Sequence, residues 1–326
     1  MLSAKTLLLF PGQGAQYPGI GNDLTREFPI AREMYSDASD ILGYDLVALC
    51  NDSESGAINL TKFTQPVLLV HSYICLRVFE QYLGLSIDAF AAGGHSLGEY
   101  TALVAAGALS FEDALRLVSK RGECMGEHGG GDMLALSLTE DDLKPFIEAS
   151  NCEISALNLP EQTVVGGWPD ELDELTANID EKIPGKGGVR LKTEGAFHTS
   201  HMYPAAQKFR PFLEETHMRA PKLQVASNTT GGFHSPDIES IRENLYLQLF
   251  KPVRWSDNLK AIANAGVERI IEFGGGLGKG DTPSDKRPNL QGMIVRTFRR
   301  ANPRPVYHAV INVETLEATC KAYTAA

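Results

Sequence analysis

The pentapeptide Gly94-His95-Ser96-Leu97-Gly98 has the GxSxG spacing of a nucleophile elbow. In such a turn the serine sits on strained backbone with its hydroxyl exposed. Small flanking residues relieve the crowding, and the N–H of the next residue faces developing negative charge at a helix start. Ser96 is therefore a candidate nucleophile and the Leu97 N–H a candidate oxyanion donor. The competing reading is a glycine-rich turn that holds a serine by chance, in a chain with 31 glycines. A serine nucleophile needs a base. His95, next to Ser96 on the turn, points elsewhere in an elbow. His198 and His201 follow Gly195 closely, and the residue pattern does not choose between them. Arg121 falls among Ala114, Leu115, Leu117 and Val118 on a helical pattern. A guanidinium on an apolar face calls for a carboxylate partner from the protein or from a ligand. An arginine whose stem lies along the surface with its head in water is the plainer alternative.

Other motifs fail on their spacing. Gly12-Gln13-Gly14-Ala15-Gln16-Tyr17 has Tyr17 where a dinucleotide fingerprint needs its third glycine. Gly274-Gly275-Gly276-Leu277-Gly278-Lys279-Gly280 has Phe273 and Gly280 where a phosphate loop needs its first glycine and its Ser or Thr. No HExxH, paired-carboxylate or Cys/His metal spacing is present, so no metal is expected.

The elements that would position these residues follow from periodicity and breakers. Residues 6–10 read as a buried strand running into Pro11-Gly12, 65–82 as a helix, and 87–92 as a strand stopping at Gly93-Gly94. Two helices follow, over 99–109 and 111–125, so Ser96 falls in a strand–turn–helix context. From 133 to 193 the order is strand, helix, strand, strand, helix, strand, a ferredoxin-like unit. The main α/β pattern resumes with a helix from about 203, a strand at 223–227, a helix from 238 and a last strand at 267–273. The expected fold is α/β: an α/β-hydrolase-like subdomain over 1–130 and 196–326, interrupted by a ferredoxin-like subdomain over 131–195.

The 326 residues are 43% hydrophobic and 22% charged, which excludes wholesale disorder. Thirty Lys and Arg against 41 Asp and Glu give a net charge of −11, which argues against nucleic acid or an anionic membrane as partner. Five scattered cysteines without a CxxC pair, no signal-peptide pattern and no long apolar run point to a cytoplasmic protein.

Several segments together resemble the malonyl-CoA:acyl-carrier-protein transacylases, including the free-standing acyltransferases of polyketide synthases. They are FPGQGAQYPGIG (10–21), FTQP (63–66), GHSLGEYTALVAAGALSFEDAL (94–115), KRGECM (120–125), GAFHTSHM (195–202), SNTTG (227–231) and QLFKPVRW (248–255). The resemblance implies that Ser96 attacks the thioester of malonyl-CoA with His198 as base and then acid, so that His201 is set aside. It implies a main-chain carbonyl near Gln248 as the group orienting His198, and the N–H groups of Gln13 and Leu97 as the oxyanion hole. Arg121 would pair with the malonyl carboxylate, and Phe197 before the histidine would favour malonyl over α-branched units. The acyl group would pass to the phosphopantetheine thiol of an acyl carrier protein. No cofactor is implied, the CoA thioester being substrate, and a monomer is expected. An acyl-thioester hydrolase of the same fold and an acyltransferase for an unusual extender unit are the alternatives. The chain departs from the family at 274–280, where Gly-Pro-Gly-Lys is usual, and nothing places the tail beyond Arg300. Lys279, Lys286, Arg287, Arg296, Arg299 and Arg300 form a locally basic stretch, which reads either as a docking surface for an acidic carrier protein or as a solvated charged face.

Overall fold

Leu7, Leu8, Leu9 and Phe10 are all buried, and this short apolar run is the middle strand of a parallel sheet. The computed structural model describes residues 4–280 and 282–325. In chain order, the strands among them are β1 (Thr6–Phe10), β2 (Ala89–Gly94), β3 (Asp132–Leu136), β4 (Glu153–Leu159), β5 (Gln162–Gly167), β6 (Val189–Leu191), β7 (Gln224–Val225), β8 (Arg269–Phe273) and β9 (Val306–Val310). The described residues divide into two compact units: the chain up to Gly122, His217–Ala226 and the chain from Ile262 on; and Glu123–Thr216 with Ser227–Ala261.

In the first unit the sheet order is β7-β2-β1-β8-β9, every neighbouring pair parallel. Strands this apolar suit a sheet covered by helices. Helix Thr61–Leu83 packs on β8 and β9, Gly98–Ala105 on β1 and β2, and Val313–Ala325 on β9. From β1 the chain builds the sheet first toward β7 and later toward β9, so the order reverses beside β1. In open α/β sheets ligands bind outside the carboxyl ends of the strands at such a point. Pro11-Gly12-Gln13 and His95-Ser96 leave the carboxyl ends of the neighbouring strands β1 and β2.

In the second unit β4-β5-β3-β6 form an antiparallel sheet. Helices Glu140–Glu148 and Pro169–Lys182 bury Leu143, Phe146, Leu172, Leu175 and Ile179 with Leu134, Leu136 and Val165 of the sheet. A Thr139–Asp142 capping box starts the first of these helices. The order is that of the expected βαββαβ unit. This unit also takes in residues on both sides of the expected 131–195 insertion. Part of the reason is visible at β4, where Val253 accepts from Leu157 N–H and donates to the Ser155 carbonyl, both at 2.9 Å.

Two further differences have local causes. The helix expected over 65–82 begins at Thr61 and runs through Pro66, whose missing N–H leaves a single gap in its second turn. The parallel sheet does not stop at 267–273: β9 adds an edge strand whose half-exposed Tyr307 and His308 hide it from a search for apolar runs.

Candidate active site

β2 runs through His95 and Ser96 into helix Gly98–Ala105, with Leu97 at its N-cap position. The turn is tight because glycines meet backbone there. A Cβ on Gly94 would strike the Gly98 backbone, and one on Gly98 the Phe10 carbonyl. Ser96 has φ 50° and His198 φ 63°; among the described residues they are the non-glycine positions with positive φ. Such backbone costs of order 1–3 kcal/mol per residue and persists where surroundings over-determine it, most often at functional sites. Ser96 is half-buried.

The Gln13 loop lies against this turn. His95 N–H donates to the Phe10 carbonyl at 3.2 Å, and Gly12 passes so close to the His95 carbonyl that a Cβ would collide with it. Gln13 Nε2 donates to Thr61 Oγ1 at 3.2 Å, in the first turn of helix Thr61–Leu83. The unassigned glycines 274–276 back the same loop. Gly276 N–H donates to the Ala15 carbonyl at 2.8 Å, and a Cβ on Gly275, at φ 70°, would fall 2.7 Å from Ala15 Cβ. Beyond them Leu277 pairs with Arg287, and Lys286 turns back to donate to the carbonyls of Gly278 and Gly280. Lys286 is therefore occupied within its own loop, unlike the outward role its charge suggested.

Arg121, on helix Phe111–His128, is 1% exposed. Its Nη1 donates to Gln65 Oε1 at 2.8 Å and its Nη2 to Ser96 Oγ at 3.3 Å. The guanidinium carbon also lies 5.3 Å from the Tyr100 ring centroid. Burial lowers the guanidinium's pKa from its ordinary value, and Tyr100 and Glu99 offset part of this. Gly122 allows the approach of the two helices, since a Cβ there would lie 2.7 Å from the Thr61 carbonyl oxygen. One helix turn, Thr61 to Gln65, thus braces both Gln13 and Arg121. Gln65 was missed as a site residue; its signal was a polar side chain just before an apolar helical run.

In the second unit His198 is 5% exposed. Its Nδ1 lies 2.6 Å from the Gln248 carbonyl oxygen, and its backbone N–H donates to the Leu249 carbonyl at 3.1 Å. A carbonyl only accepts, so Nδ1 carries the proton and the neutral ring keeps its lone pair on Nε2. Gln248 ends helix Ile238–Gln248, where carbonyls lack intrahelical donors and carry partial negative charge. That end orients the ring through the Nδ1 contact. Phe197 is buried, and its carbonyl accepts from Ser155 Oγ at 2.7 Å. His201 instead contacts Thr199 Oγ1 at 3.3 Å and packs edge-on to Trp168. The structure thus brings Ser96, Leu97, Gln13 and Arg121 together in one unit, and His198, Phe197 and Gln248 in the other.

No helix among the described residues is long and apolar enough to cross a membrane. Residues 7–273 match the model of the acyl transferase domain family. The polyketide biosynthesis protein ThaF of Burkholderia thailandensis is 40% identical over 277 residues, which cover 82% of this chain but 23% of ThaF. The malonyl CoA-acyl carrier protein transacylase of Bacillus subtilis is 35% identical over 282 residues, covering 84% of this chain and 87% of that protein. The solved malonyl CoA-acyl carrier protein transacylase of Coxiella burnetii superposes with a TM-score of 0.86 at 30% identity, covering 98% of this chain and 97% of that one. A strained serine in a strand–turn–helix, an arginine on its hydroxyl and matches of this extent place the chain in the acyl transferase domain family.

Proposed function

We propose that the protein transfers a malonyl group from malonyl-CoA, through an ester on Ser96, to the phosphopantetheine thiol of an acyl carrier protein. The observation that carries this reading is the buried Arg121 guanidinium with Nη2 3.3 Å from Ser96 Oγ. In a malonyl thioester the free carboxylate is one carbon from the reacting carbonyl. A fixed cation at hydrogen-bonding distance from the nucleophile is where that carboxylate would fall, and arginine can hold it through two parallel bonds.

Ser96 Oγ attacks the thioester carbonyl while His198 Nε2 accepts its proton. The N–H groups of Gln13 and Leu97 take the negative oxygen of the tetrahedral intermediate. Collapse breaks the C–S bond, and the imidazolium returns the proton to the CoA sulfur. The carrier thiol then gives its proton to His198 and attacks the acyl-serine carbonyl; the C–O bond to Ser96 breaks, and the imidazolium returns the proton to Ser96 Oγ. A thioester is already activated, so these steps draw on no cofactor. Phe197, buried beside the histidine, supports preference for the unbranched unit. A free CoA thioester as donor fits an enzyme of the cytoplasm, and we take it to act as a monomer. Intact-protein mass spectrometry after exposure to an equimolar mixture of malonyl-, methylmalonyl-, ethylmalonyl- and acetyl-CoA tests the acyl choice. Malonyl-enzyme should dominate, and a predominantly acetylated enzyme would remove the reading.

A further inference from the structure

Ser155 lies on β4, 43 residues before His198, and belongs to none of the segments that resembled a known family. It is fully buried. Two features of its strand set it apart. Pairing of β4 with β5 runs Ile154↔Val165 and then Ala156↔Val164, so Ser155 is the extra residue of a β-bulge. Bulges re-aim a side chain and recur beside active sites. On its other edge the strand holds Val253, whose N–H donates to the Ser155 carbonyl at 2.9 Å while Leu157 N–H donates to the Val253 carbonyl at 2.9 Å.

The bulge sends the Ser155 hydroxyl to the carbonyl of Phe197, at 2.7 Å. That carbonyl is in the peptide group that enters His198, the residue at φ 63°. The peptide group that enters the left-handed residue is thus held at both of its ends. Ser155 Oγ fixes the preceding carbonyl, and the Leu249 carbonyl takes the His198 N–H at 3.1 Å. The ring is held by the Gln248 carbonyl at 2.6 Å. Gln248 and Leu249 lead directly into Val253, which Ser155 also anchors. One residue therefore grips both segments that set the imidazole: its hydroxyl the loop that carries the ring, its carbonyl the segment that orients it.

We propose that Ser155 is a positioning residue for His198, locking the strained backbone that aims Nε2. The proposal rests on the reading of His198 as the general base. Loss of the hydroxyl leaves the Phe197 carbonyl without this donor and frees the loop to relax away from φ 63°, loosening the Nδ1–Gln248 bond. The cost falls on the proton-transfer steps and not on holding malonyl-CoA, to which Ser155 makes no contact in the proposed mechanism.

The test compares Ser155→Ala, Ser155→Thr and His198→Ala for malonyl transfer to a carrier protein, with thermal midpoints measured on each. Ser155→Ala should lower kcat by roughly ten- to a hundredfold, the upper end being the cost of an ångström-scale misplacement of a catalytic group, with KM for malonyl-CoA within about twofold of wild type. Ser155→Thr, which keeps the hydroxyl, should recover most of the rate. An unchanged kcat in Ser155→Ala overturns the proposal, as does a threonine variant as slow as alanine, or a rate loss that follows the thermal midpoint in both. If His198→Ala transfers at the wild-type rate, the general-base reading itself has failed. If His198→Ala is inactive and Ser155→Ala is normal, only the positioning role has failed.

Discussion

Replacing Arg121 by alanine should change which acyl group the enzyme takes and leave the serine chemistry in place. The guanidinium is buried, held by Gln65 Oε1 at 2.8 Å, and places Nη2 3.3 Å from Ser96 Oγ. A hydrogen bond to a charged group contributes about 1.5–3 kcal/mol, and a carboxylate held by both Nη atoms makes two. Part of this is offset because the arginine must exchange its contact with Ser96 for the ligand, leaving about 3–4 kcal/mol. At 1.36 kcal/mol per tenfold, malonyl kcat/KM should fall by roughly two to three orders of magnitude. Acetyl-CoA carries no carboxylate for the guanidinium to hold, so loss of the guanidinium costs acetyl transfer nothing, and acetyl transfer in Arg121→Ala should match or exceed the wild-type rate. Arg121→Lys keeps the charge but not the planar fork and should fall between the two. The assay is quenched-flow acylation with each thioester, with a melting curve for each variant to verify folding. Equal losses for malonyl and acetyl would refute the carboxylate clamp, because a damaged nucleophile turn would slow both alike.

Phe197→Ser should raise methylmalonyl relative to malonyl acylation by about tenfold, the worth of one methyl group in a pocket; an unchanged ratio in a competition assay would remove Phe197 from specificity. Burial pushes the Glu272 carboxyl up to about 7, although it accepts from Asn289 N–H, Leu290 N–H and Tyr307 Oη. A carboxyl raised in the folded state contributes stability that is full below about pH 4.5 and lost as pH rises through about 7. Burial moves His71 the other way, to about 4, so its contribution is present above about pH 6.5 and lost on acidification. The two slopes oppose each other between about pH 4.5 and 6.5. In Glu272→Gln the His71 slope stands alone, and acidification across that window should cost about 3 kcal/mol more than in wild type. Identical pH dependence of the urea midpoints in the two proteins would contradict this assignment.

The nucleophile turn was legible because it is local. Gly94, Ser96 and Gly98 lie within five residues, and the strand before them and helix after them have their own periodicity. The ferredoxin-like unit was legible for the same reason, each of its elements having a distinct apolar pattern. The supports of the site were not, because they join residues far apart in the chain. Arg121 meets Gln65 across 56 positions and Ser155 meets Phe197 across 42, and no spacing rule reaches so far. A β-bulge leaves no signature in a strand pattern, so Ser155 looked like any strand residue. The glycines at 274–276 fit no phosphate-loop spacing, and their use shows only in three dimensions, where they let one backbone lie against another behind Gln13.

Intact mass of the protein after incubation with malonyl-CoA addresses the acyl-serine most directly. Wild type should gain the mass of one malonyl group, and Ser96→Ala should gain none under the same conditions. A Ser96→Ala protein that still acquires one malonyl group would contradict the assignment of Ser96 as the nucleophile and the transfer mechanism built on it.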